Sequence, residues 1–351
     1  MNILYLTNEL NHADGVSAHL YNLISELKNK FKINISIICG GGNATDKFKG
    51  TGSEVIVNRT INHSSRNLKN FASAILYVYK FTSSYKTDII HSHNHYASNI
   101  ACRSSKFSGA KTVQTVHGII PEAGRLKHLS GDNFITVNDH IYRSVKPKLS
   151  NENKIELIYN GLEFRDEINR GINNKMKFLA ASRLEPGKGL STYIEAVSKL
   201  PGKYRSRAEF VLAGEGSLEN ELKILNNETG AGIIFPGMIR DMRKMYDESD
   251  VFVIPSESEG LPMSMLEAIA SGSSVISSDF DGVESLITDG IDGTLFRMND
   301  PDSLKEKLMA AIDNPDKQRI YSSTLLKKAK VKFSISGMGL KHYNFYKRII
   351  A

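Results

Sequence analysis

Residues 255–268 read PSESEGLPMSMLEA, and this stretch predicts the fold of its half of the chain. It follows residues 251–254, a short apolar run closed by proline, which is typical of a buried strand. Pro262 suits the first turn of a helix, because its missing N–H costs nothing there. Apolar residues then recur at helical spacing until Gly272. The stretch therefore predicts a strand, a turn and a helix.

Two carboxylates bracket the predicted turn. Glu259 is expected in the turn above the carboxyl end of the strand, and Glu267 inside the helix. The positive N-terminus of that helix would offer N–H groups to an anion. Since carboxylates accept hydrogen bonds from hydroxyls and helix ends bind phosphates, a nucleotide sugar is the ligand that fits both.

Length and composition limit the class of protein. The chain has 351 residues, more than a single domain with one hydrophobic core usually contains, so two domains are expected. Its composition of 40% hydrophobic and 24% charged residues is ordinary for a globular protein. Cys39 and Cys102 are the two cysteines, too few for a disulfide framework or zinc spacing, so we expect a reducing cytoplasm. The N-terminus resembles a first strand rather than a signal peptide, and the longest apolar stretch is too short for a membrane span.

The net charge of +7 is unevenly distributed. Residues 1–170 contain 21 Lys and Arg against 14 Asp and Glu, and the remainder contains 24 of each. A basic half fits an anionic membrane surface, an anionic acceptor or nucleic acid. Scattered, solvated lysines explain the same excess equally well.

Strand and helix patterns alternate along both halves. Strands are predicted at 3–7, 33–39, 54–57, 88–91, 111–116, 134–137, 155–159, 177–181, 209–213, 232–235, 250–254, 274–277 and 294–297. Helices are predicted between them at 16–28, 68–85, 139–146, 192–200, 218–226, 242–248 and 262–271. This alternation implies parallel sheets with right-handed crossovers.

The predicted fold class is α/β, with two doubly wound Rossmann-like domains that face each other across a cleft at their carboxyl-end loops. The polar, glycine-containing segment 160–175 is the predicted linker. We therefore expect an N-terminal domain at 1–170, a C-terminal domain at 171–335 and a final helix at 336–351.

Two cations follow the first strand of the C-terminal half. Arg183 and Lys188 lie in one predicted loop, where they could neutralise a diphosphate and its leaving charge without a metal ion. A glycine turn with solvated charges is the alternative. Gly214 and Gly216 follow the next strand, although an isolated Gly-x-Gly is weak evidence.

Taken in order, these motifs resemble the retaining glycosyltransferases of the GT-B fold, family 4, over nearly the whole chain. The motifs are Arg183…Lys188, Gly214-x-Gly216, Phe235-x-Gly237, Tyr246…Asp250 and Glu259-x7-Glu267. The resemblance implies a metal-independent enzyme, which agrees with the cationic pair, and we expect no Asp-x-Asp metal motif.

The resemblance also implies roles for residues of the C-terminal half. Glu267 would bind the ribose hydroxyls, Glu259 the hydroxyls of the donor sugar, and Arg183 with Lys188 the diphosphate. Backbone groups near the sugar, the phosphate or the base would come from Gly260, Leu261, Met263, Gly237 and Met238.

In the N-terminal half, Gly15 and Val16 resemble the glycine loop that packs against the donor phosphates, with Asp14 where the family often has a first glycine. His117 matches the histidine at a strand end, with its side chain near the donor sugar and its carbonyl near the acceptor. The turn at 160–161 is interpreted as structural. In the family, a C-terminal helix crosses back onto the N-terminal domain, whereas the pattern alone fits a plain capping helix.

His91, His93 and His95 alternate, and alternate residues of a strand share a face that could bind a transition metal. Because this segment enters a loop, we expect the alternation to fail and no metal to bind.

The function implied is a cytoplasmic retaining glycosyltransferase of polysaccharide or cell-envelope biosynthesis. It would transfer a sugar from a UDP- or GDP-linked donor to a saccharide or lipid-linked saccharide, with no cofactor and no nucleic-acid partner, and with peripheral attachment to the inner membrane face as an open hypothesis. The alternatives are a nucleotide-sugar epimerase and a non-catalytic nucleotide-sugar-binding subunit. A dehydrogenase is disfavoured, because no Gly-x-Gly-x-x-Gly follows the first strand.

Overall fold

A computed structural model describes residues 1–12, 14–118, 129–150, 154–165, 168, 175–239 and 241–351. The chain divides into two compact units. Unit 1 contains Met1–Gly161 and Ile335–Ala351, and unit 2 contains Leu162–Ser334. Most of the predicted linker, and the predicted boundary between residues 170 and 171, lie outside the described residues. The observed division comes earlier, after Gly161.

Unit 1 is built on a parallel sheet of seven described strands. Their bounds are β1 Asn2–Thr7, β2 Asn34–Cys39, β3 Glu54–Val57, β4 Ile89–Ser92, β5 Lys111–Val116, β6 Asn133–Thr136 and β7 Lys154–Leu157. The order β3-β2-β1-β4-β5-β6-β7 reverses direction between β1 and β4. Ligands of such sheets bind at the carboxyl ends of the strands beside this switch point.

Helices cover both faces of this sheet. Their bounds are α1 Gly15–Phe31, α2 Thr45–Lys49, α3 Leu68–Ser84, α4 His95–Ser108, α5 Asp139–Val145 and the C-terminal α13 Ile335–Ile350. Apolar residues of α1 and α13 share one core, and those of α3 and α4 share another. The last helix of the chain therefore belongs to the same unit as the first strand.

Unit 2 repeats the plan with six parallel strands in the described residues. Their bounds are β8 Met176–Ala181, β9 Ala208–Ala213, β10 Ile234–Gly237, β11 Val251–Ile254, β12 Ser274–Ser278 and β13 Thr294–Phe296. The order β10-β9-β8-β11-β12-β13 reverses between β8 and β11. Two doubly wound parallel sheets confirm the predicted fold class.

The helices of unit 2 lie between these strands and after the last one. Their bounds are α6 Leu190–Ser198, α7 Gly202–Arg205, α8 Glu219–Thr229, α9 Arg243–Asp247, α10 Met263–Ala270, α11 Pro301–Asp313 and α12 Pro315–Lys332. In the described part of the chain, no helix is long and apolar enough to cross a membrane.

Some predicted bounds were wrong for identifiable reasons. The strand predicted at 232–235 begins at Ile234, because Gly230 and Gly232 adopt left-handed backbone angles and the Asn226 amide accepts a hydrogen bond from the Ile233 N–H at 2.9 Å. Pro262 precedes α10 as its N-cap residue instead of entering its first turn. The helix α4 was not predicted, because its buried face includes Ser98 and Ser104 and lacks a clear apolar period.

Candidate functional site

The predicted site residues of unit 2 gather at the switch point of its sheet. β8 and β11 are hydrogen-bonded neighbours, and each is followed by a loop and then by a helix, α6 or α10. The two loops, residues 182–189 and 255–262, therefore leave the same sheet edge side by side. Two helix N-termini follow these loops, and each favours an anion.

Lys188 and Glu259 meet across these two loops. The Lys188 ammonium donates to Glu259 Oε1 at 2.7 Å, and the Ser256 hydroxyl donates to the same oxygen at 2.7 Å. The side chains are 20% and 15% exposed, so the pair is largely shielded while both groups still reach solvent. The structure thus joins the residue expected to bind the diphosphate with the residue expected to bind the sugar.

The loops are held together by their backbones. The Glu257 N–H donates to the Gly187 carbonyl at 2.9 Å. Gly189 lies so close to Pro255 that a Cβ there would be 1.8 Å from the Pro255 carbonyl oxygen. Gly189 also has φ +60°, a left-handed angle that disfavours a side chain. This close approach fixes the distance between Lys188 and the Glu259 loop.

Glu267 lies on α10 and is positioned by a buried tyrosine. The Tyr246 side chain, 4% exposed, hydrogen-bonds the Glu267 carboxylate. Burial, together with that negative charge, raises the pKa of Tyr246 well above its usual range. Tyr246 therefore stays protonated and donates, which holds the Glu267 carboxylate in one orientation.

The predicted glycines have structural reasons to be glycine. A Cβ at Gly214 would lie 1.9 Å from the Ser182 carbonyl oxygen, and one at Gly216 would lie 2.4 Å from that of Leu184. Gly237 has φ +75° with open space around it, and the following Met238 is 40% exposed. The first two glycines let their turn pack against the Arg183 loop.

Other predicted residues line or border the same loops. Arg183 is exposed, and Gly260 is half-buried. Leu261 and Met263 bury their side chains at 5% exposure, which leaves their backbones as the groups toward a ligand. A pocket beside them is lined by Ala180, Ala181, Ser182, Leu190, Phe252, Val253, Ile254, Pro255, Ser256, Glu259, Pro262 and Ser264.

In unit 1, Gly15 and Val16 begin α1 directly after the loop that follows β1. Asp14 is the N-cap: its carboxylate accepts from the Ser17 N–H at 2.9 Å and from the Ser17 hydroxyl at 2.9 Å. Asp14 thus stabilises the helix, and it also places a negative charge where a phosphate would approach.

His117 follows β5, is half-buried, and belongs to a histidine cluster whose other members are buried. His117 Nε2 is 3.0 Å from His93 Nδ1, so one ring donates to the other. His19, His91 and His342 complete the cluster, with His91 Nδ1 2.6 Å from the Tyr346 hydroxyl. The side chains of His91 and His93 lie on the same face, with their ring centroids 4.4 Å apart. The alternation therefore continues as far as His93, and the prediction that it would fail is wrong to that point.

Burial keeps these imidazoles neutral. Burial lowers the pKa of His117 and of His342 to about 4. It also lowers the pKa of His19, His91 and His93 well below the usual value, and the neighbouring imidazoles add to this effect. His117 can therefore hydrogen-bond a ligand without adding positive charge.

Two features bear on metal binding. Ring nitrogens of His19, His93 and His117 lie within 4.8 Å of one another, close enough to surround an ion, although His93 and His117 hydrogen-bond directly.

The expected lack of an Asp-x-Asp motif is wrong, since this spacing occurs at 279–281 and 300–302. However, Asp279 accepts from the Met298 N–H, and Asp302 pairs with Lys199 at 2.8 Å.

Sequence reasoning overlooked the residues that position the carboxylates. These residues are Ser256, which hydrogen-bonds Glu259, and Tyr246, which hydrogen-bonds Glu267. Tyr246 belongs to one of the motifs of the resemblance, but the motif alone predicts no role for it. Spacing alone gives no signal for the Tyr246–Glu267 bond. Ser256 lies three residues before Glu259 in one turn, which could have indicated a shared hydrogen bond.

The chain is a two-domain α/β protein built from two doubly wound units. One unit has acidic and basic side chains at its switch point, an arrangement that suits a nucleotide ligand. Two family models match almost the whole chain: Glycosyltransferase Family 4 over residues 13–165 and Glycosyl transferases group 1 over residues 164–327. The chain belongs to these GT-B glycosyltransferases.

Individual relatives and structures agree with this assignment. An uncharacterized glycosyltransferase of Methanocaldococcus jannaschii is 25% identical over 65% of this chain and 61% of its own length. A UDP-Gal:α-D-GlcNAc-diphosphoundecaprenol α-1,3-galactosyltransferase of Escherichia coli is 26% identical over 82% of each chain. The fold matches that of Anabaena HepE, crystallised with UDP-glucose, with a TM-score of 0.84, 16% identity and coverage of 99% and 100%.

Proposed function

We propose that this glycosyltransferase moves a hexosyl group from a UDP- or GDP-linked donor to an acceptor hydroxyl, with retention of the anomeric configuration and without a metal ion or other cofactor. The observation that carries the proposal is the arrangement around α10. Glu259 lies before its N-terminus in contact with Lys188, and Glu267 lies within it in contact with Tyr246. This arrangement offers separate anionic acceptors for two sets of hydroxyls and cations for a diphosphate.

In the proposed reaction, the bond between the sugar C1 and the diphosphate oxygen breaks as C1 bonds the acceptor oxygen on the same face. The acceptor proton passes to the leaving diphosphate. Arg183 and Lys188 stabilise the charge that develops on the leaving group, the kind of interaction that accelerates transfer most. Neutral His117 is suited to hydrogen-bond the sugar.

We propose a lipid-linked saccharide of the cell envelope as the acceptor, with the enzyme acting on the cytoplasmic side. The E. coli relative supports this choice, because its name specifies a UDP-linked donor and a diphosphoundecaprenol-linked acceptor.

The test is nucleotide release from a panel of UDP- and GDP-sugars, in EDTA, with and without a polyprenyl-diphosphate saccharide. We expect one donor to release nucleotide only with acceptor present, and NMR to find the anomeric configuration of the donor in the product. A donor that is epimerised while its nucleotide stays attached would favour an epimerase. Activity that EDTA abolishes and Mg²⁺ or Mn²⁺ restores would contradict the cationic mechanism.

A further inference from the structure

The positive charge of this protein is concentrated in one segment. Residues 55–118 contain eight Lys and Arg residues and a single acidic residue, Asp88, so this segment carries the entire net charge of +7. The rest of the chain is balanced. The excess is therefore local to this segment, and four of its eight cations, Lys69, Lys80, Arg103 and Lys106, lie on two neighbouring helices.

The segment includes α3 and α4, and neither helix contains an acidic residue. The two helices pack side by side in unit 1: the Ser104 hydroxyl donates to the Ile75 carbonyl at 3.1 Å, and the rings of Tyr79 and Phe107 are 5.8 Å apart. Their outward sides therefore form one continuous surface.

We call this surface the α3–α4 face and define it by Lys69, Leu76, Lys80, Arg103, Lys106 and Phe107, all of which are exposed. At 100° per residue, Lys69, Leu76 and Lys80 fall within about 40° of one another around the helix axis. The apolar side chains are prominent, since Leu76 is 52% exposed and Phe107 71% exposed. Leu68, at the start of α3, is 88% exposed.

We propose that the α3–α4 face binds the surface of a membrane that contains anionic phospholipids. The four cations would lie against lipid phosphates, while Leu76 and Phe107 enter the boundary between headgroups and acyl chains. Exposed apolar side chains among cations favour a bilayer over a purely ionic partner, because only the bilayer removes their surface from water. Binding at this face would hold the enzyme at the membrane that contains the proposed lipid-linked acceptor. Only this functional role rests on the proposed function; the predicted binding to vesicles does not.

Unit 2 provides a matched comparison. Its helix α12 is also rich in lysine, but Lys328 pairs with Asp292 at 2.7 Å and Arg319 pairs with Asp316 at 2.9 Å. Lys317 and Lys327 of α12 are exposed like Lys69 and Lys80. Neutralising Lys69 and Lys80 removes two positive charges from the chain, and so does neutralising Lys317 and Lys327. Comparing the two double variants therefore distinguishes binding by the α3–α4 face from a general effect of net charge.

The test is flotation of the full chain with phosphatidylcholine vesicles, with and without phosphatidylglycerol, at low and high salt. Basic residues near an anionic leaflet contribute about fivefold each, so Lys69→Gln/Lys80→Gln should weaken binding about 25-fold. Leu76→Ser/Phe107→Ser should weaken it at least tenfold, because these side chains would no longer leave water. Lys317→Gln/Lys327→Gln should change it less than about twofold.

Absence of flotation with phosphatidylglycerol at low salt would overturn the inference. So would an equal loss in the α12 variant, which would indicate a general effect of net charge, or full binding by Leu76→Ser/Phe107→Ser, which would indicate purely ionic attraction without entry of apolar side chains. Unchanged thermal melting of each variant excludes unfolding as the cause of lost binding. The vesicles carry no donor or acceptor, so failure here leaves the proposed transfer reaction untouched, and failure of transfer leaves vesicle binding measurable.

Discussion

Glu267 illustrates how one residue can be tested without disturbing the fold. Glu267→Gln replaces an anionic acceptor with a neutral amide, and hydrogen bonds to charged groups contribute about 1.5–3 kcal/mol. We expect titration calorimetry to find at least a tenfold loss of affinity for the preferred nucleotide. Glu257→Gln, the same change at an exposed residue of the Glu259 loop, should leave affinity unchanged. Unaltered binding of both UDP and GDP by Glu267→Gln would exclude the ribose role.

Arg183 and Lys188 are expected to act alike in turnover and differently in stability. Arg183→Ala and Lys188→Ala should each lower kcat about a hundredfold or more, with little change in nucleoside affinity, because their charge matters most as the diphosphate leaves. Only Lys188→Ala should also lower the melting temperature, since it deprives the largely shielded Glu259 carboxylate of its cation. Equal kcat in either variant and the wild type would remove that residue from the proposed mechanism.

At the scale of elements, the two site loops depend on a single close backbone contact. Gly189→Ala would place a methyl group against the Pro255 carbonyl and force a left-handed residue, whereas Gly187→Ala has the left-handed angle with open space around it. We expect about 1 kcal/mol of destabilisation for Gly187→Ala and about 3 kcal/mol for Gly189→Ala. Thermal unfolding should separate the variants by roughly 4–8 °C. Equal melting temperatures would contradict the role assigned to this contact.

The same elements show what the sequence could predict. The strand, turn and helix around residues 255–268 were predictable, because a buried apolar run, a proline and a helical period are all local signals. The contact of Lys188 with Glu259 was not, since the two residues are 71 positions apart and meet only through the pairing of β8 with β11. The family resemblance placed both residues in the site, but only the structure joins them.

The histidines of unit 1 were equally hard to foresee as a group. His19 on α1, His93 after β4 and His342 on α13 come together only because both ends of the chain form one unit. Tyr346 connects them further, with its hydroxyl 2.9 Å from that of Tyr5 and 2.6 Å from His91 Nδ1. A polar core of this kind has no apolar period, so pattern analysis misses it.

For the whole molecule, the histidines make acid stability differ between the units. All ten histidines of the chain lie outside residues 162–334, so unit 2 has none. The five histidines of the cluster in unit 1 have pKa values lowered by burial, to about 4 for His117 and His342. In the unfolded chain these five histidines bind protons below about pH 6.5. In the folded unit, His117 and His342 bind protons only near pH 4, and His19, His91 and His93 only at a pH well below their usual range. The stability of unit 1 should therefore be complete above pH 6.5 and fall as the pH drops.

Each histidine of the cluster should reduce stability by about 1 kcal/mol between roughly pH 7.5 and 5.5, so the cluster as a whole amounts to several kcal/mol. Hydrogen exchange measured by mass spectrometry at both pH values, corrected for the intrinsic pH dependence of exchange, should show loss of protection in β1, β4, β5 and α13. The strands of unit 2 should keep theirs, since carboxylates lose stabilising charge only below about pH 5. Equal loss in both units would mean that acid acts through something other than the cluster. Full protection of unit 1 at pH 5.5 would mean that its histidines are not buried in the neutral form.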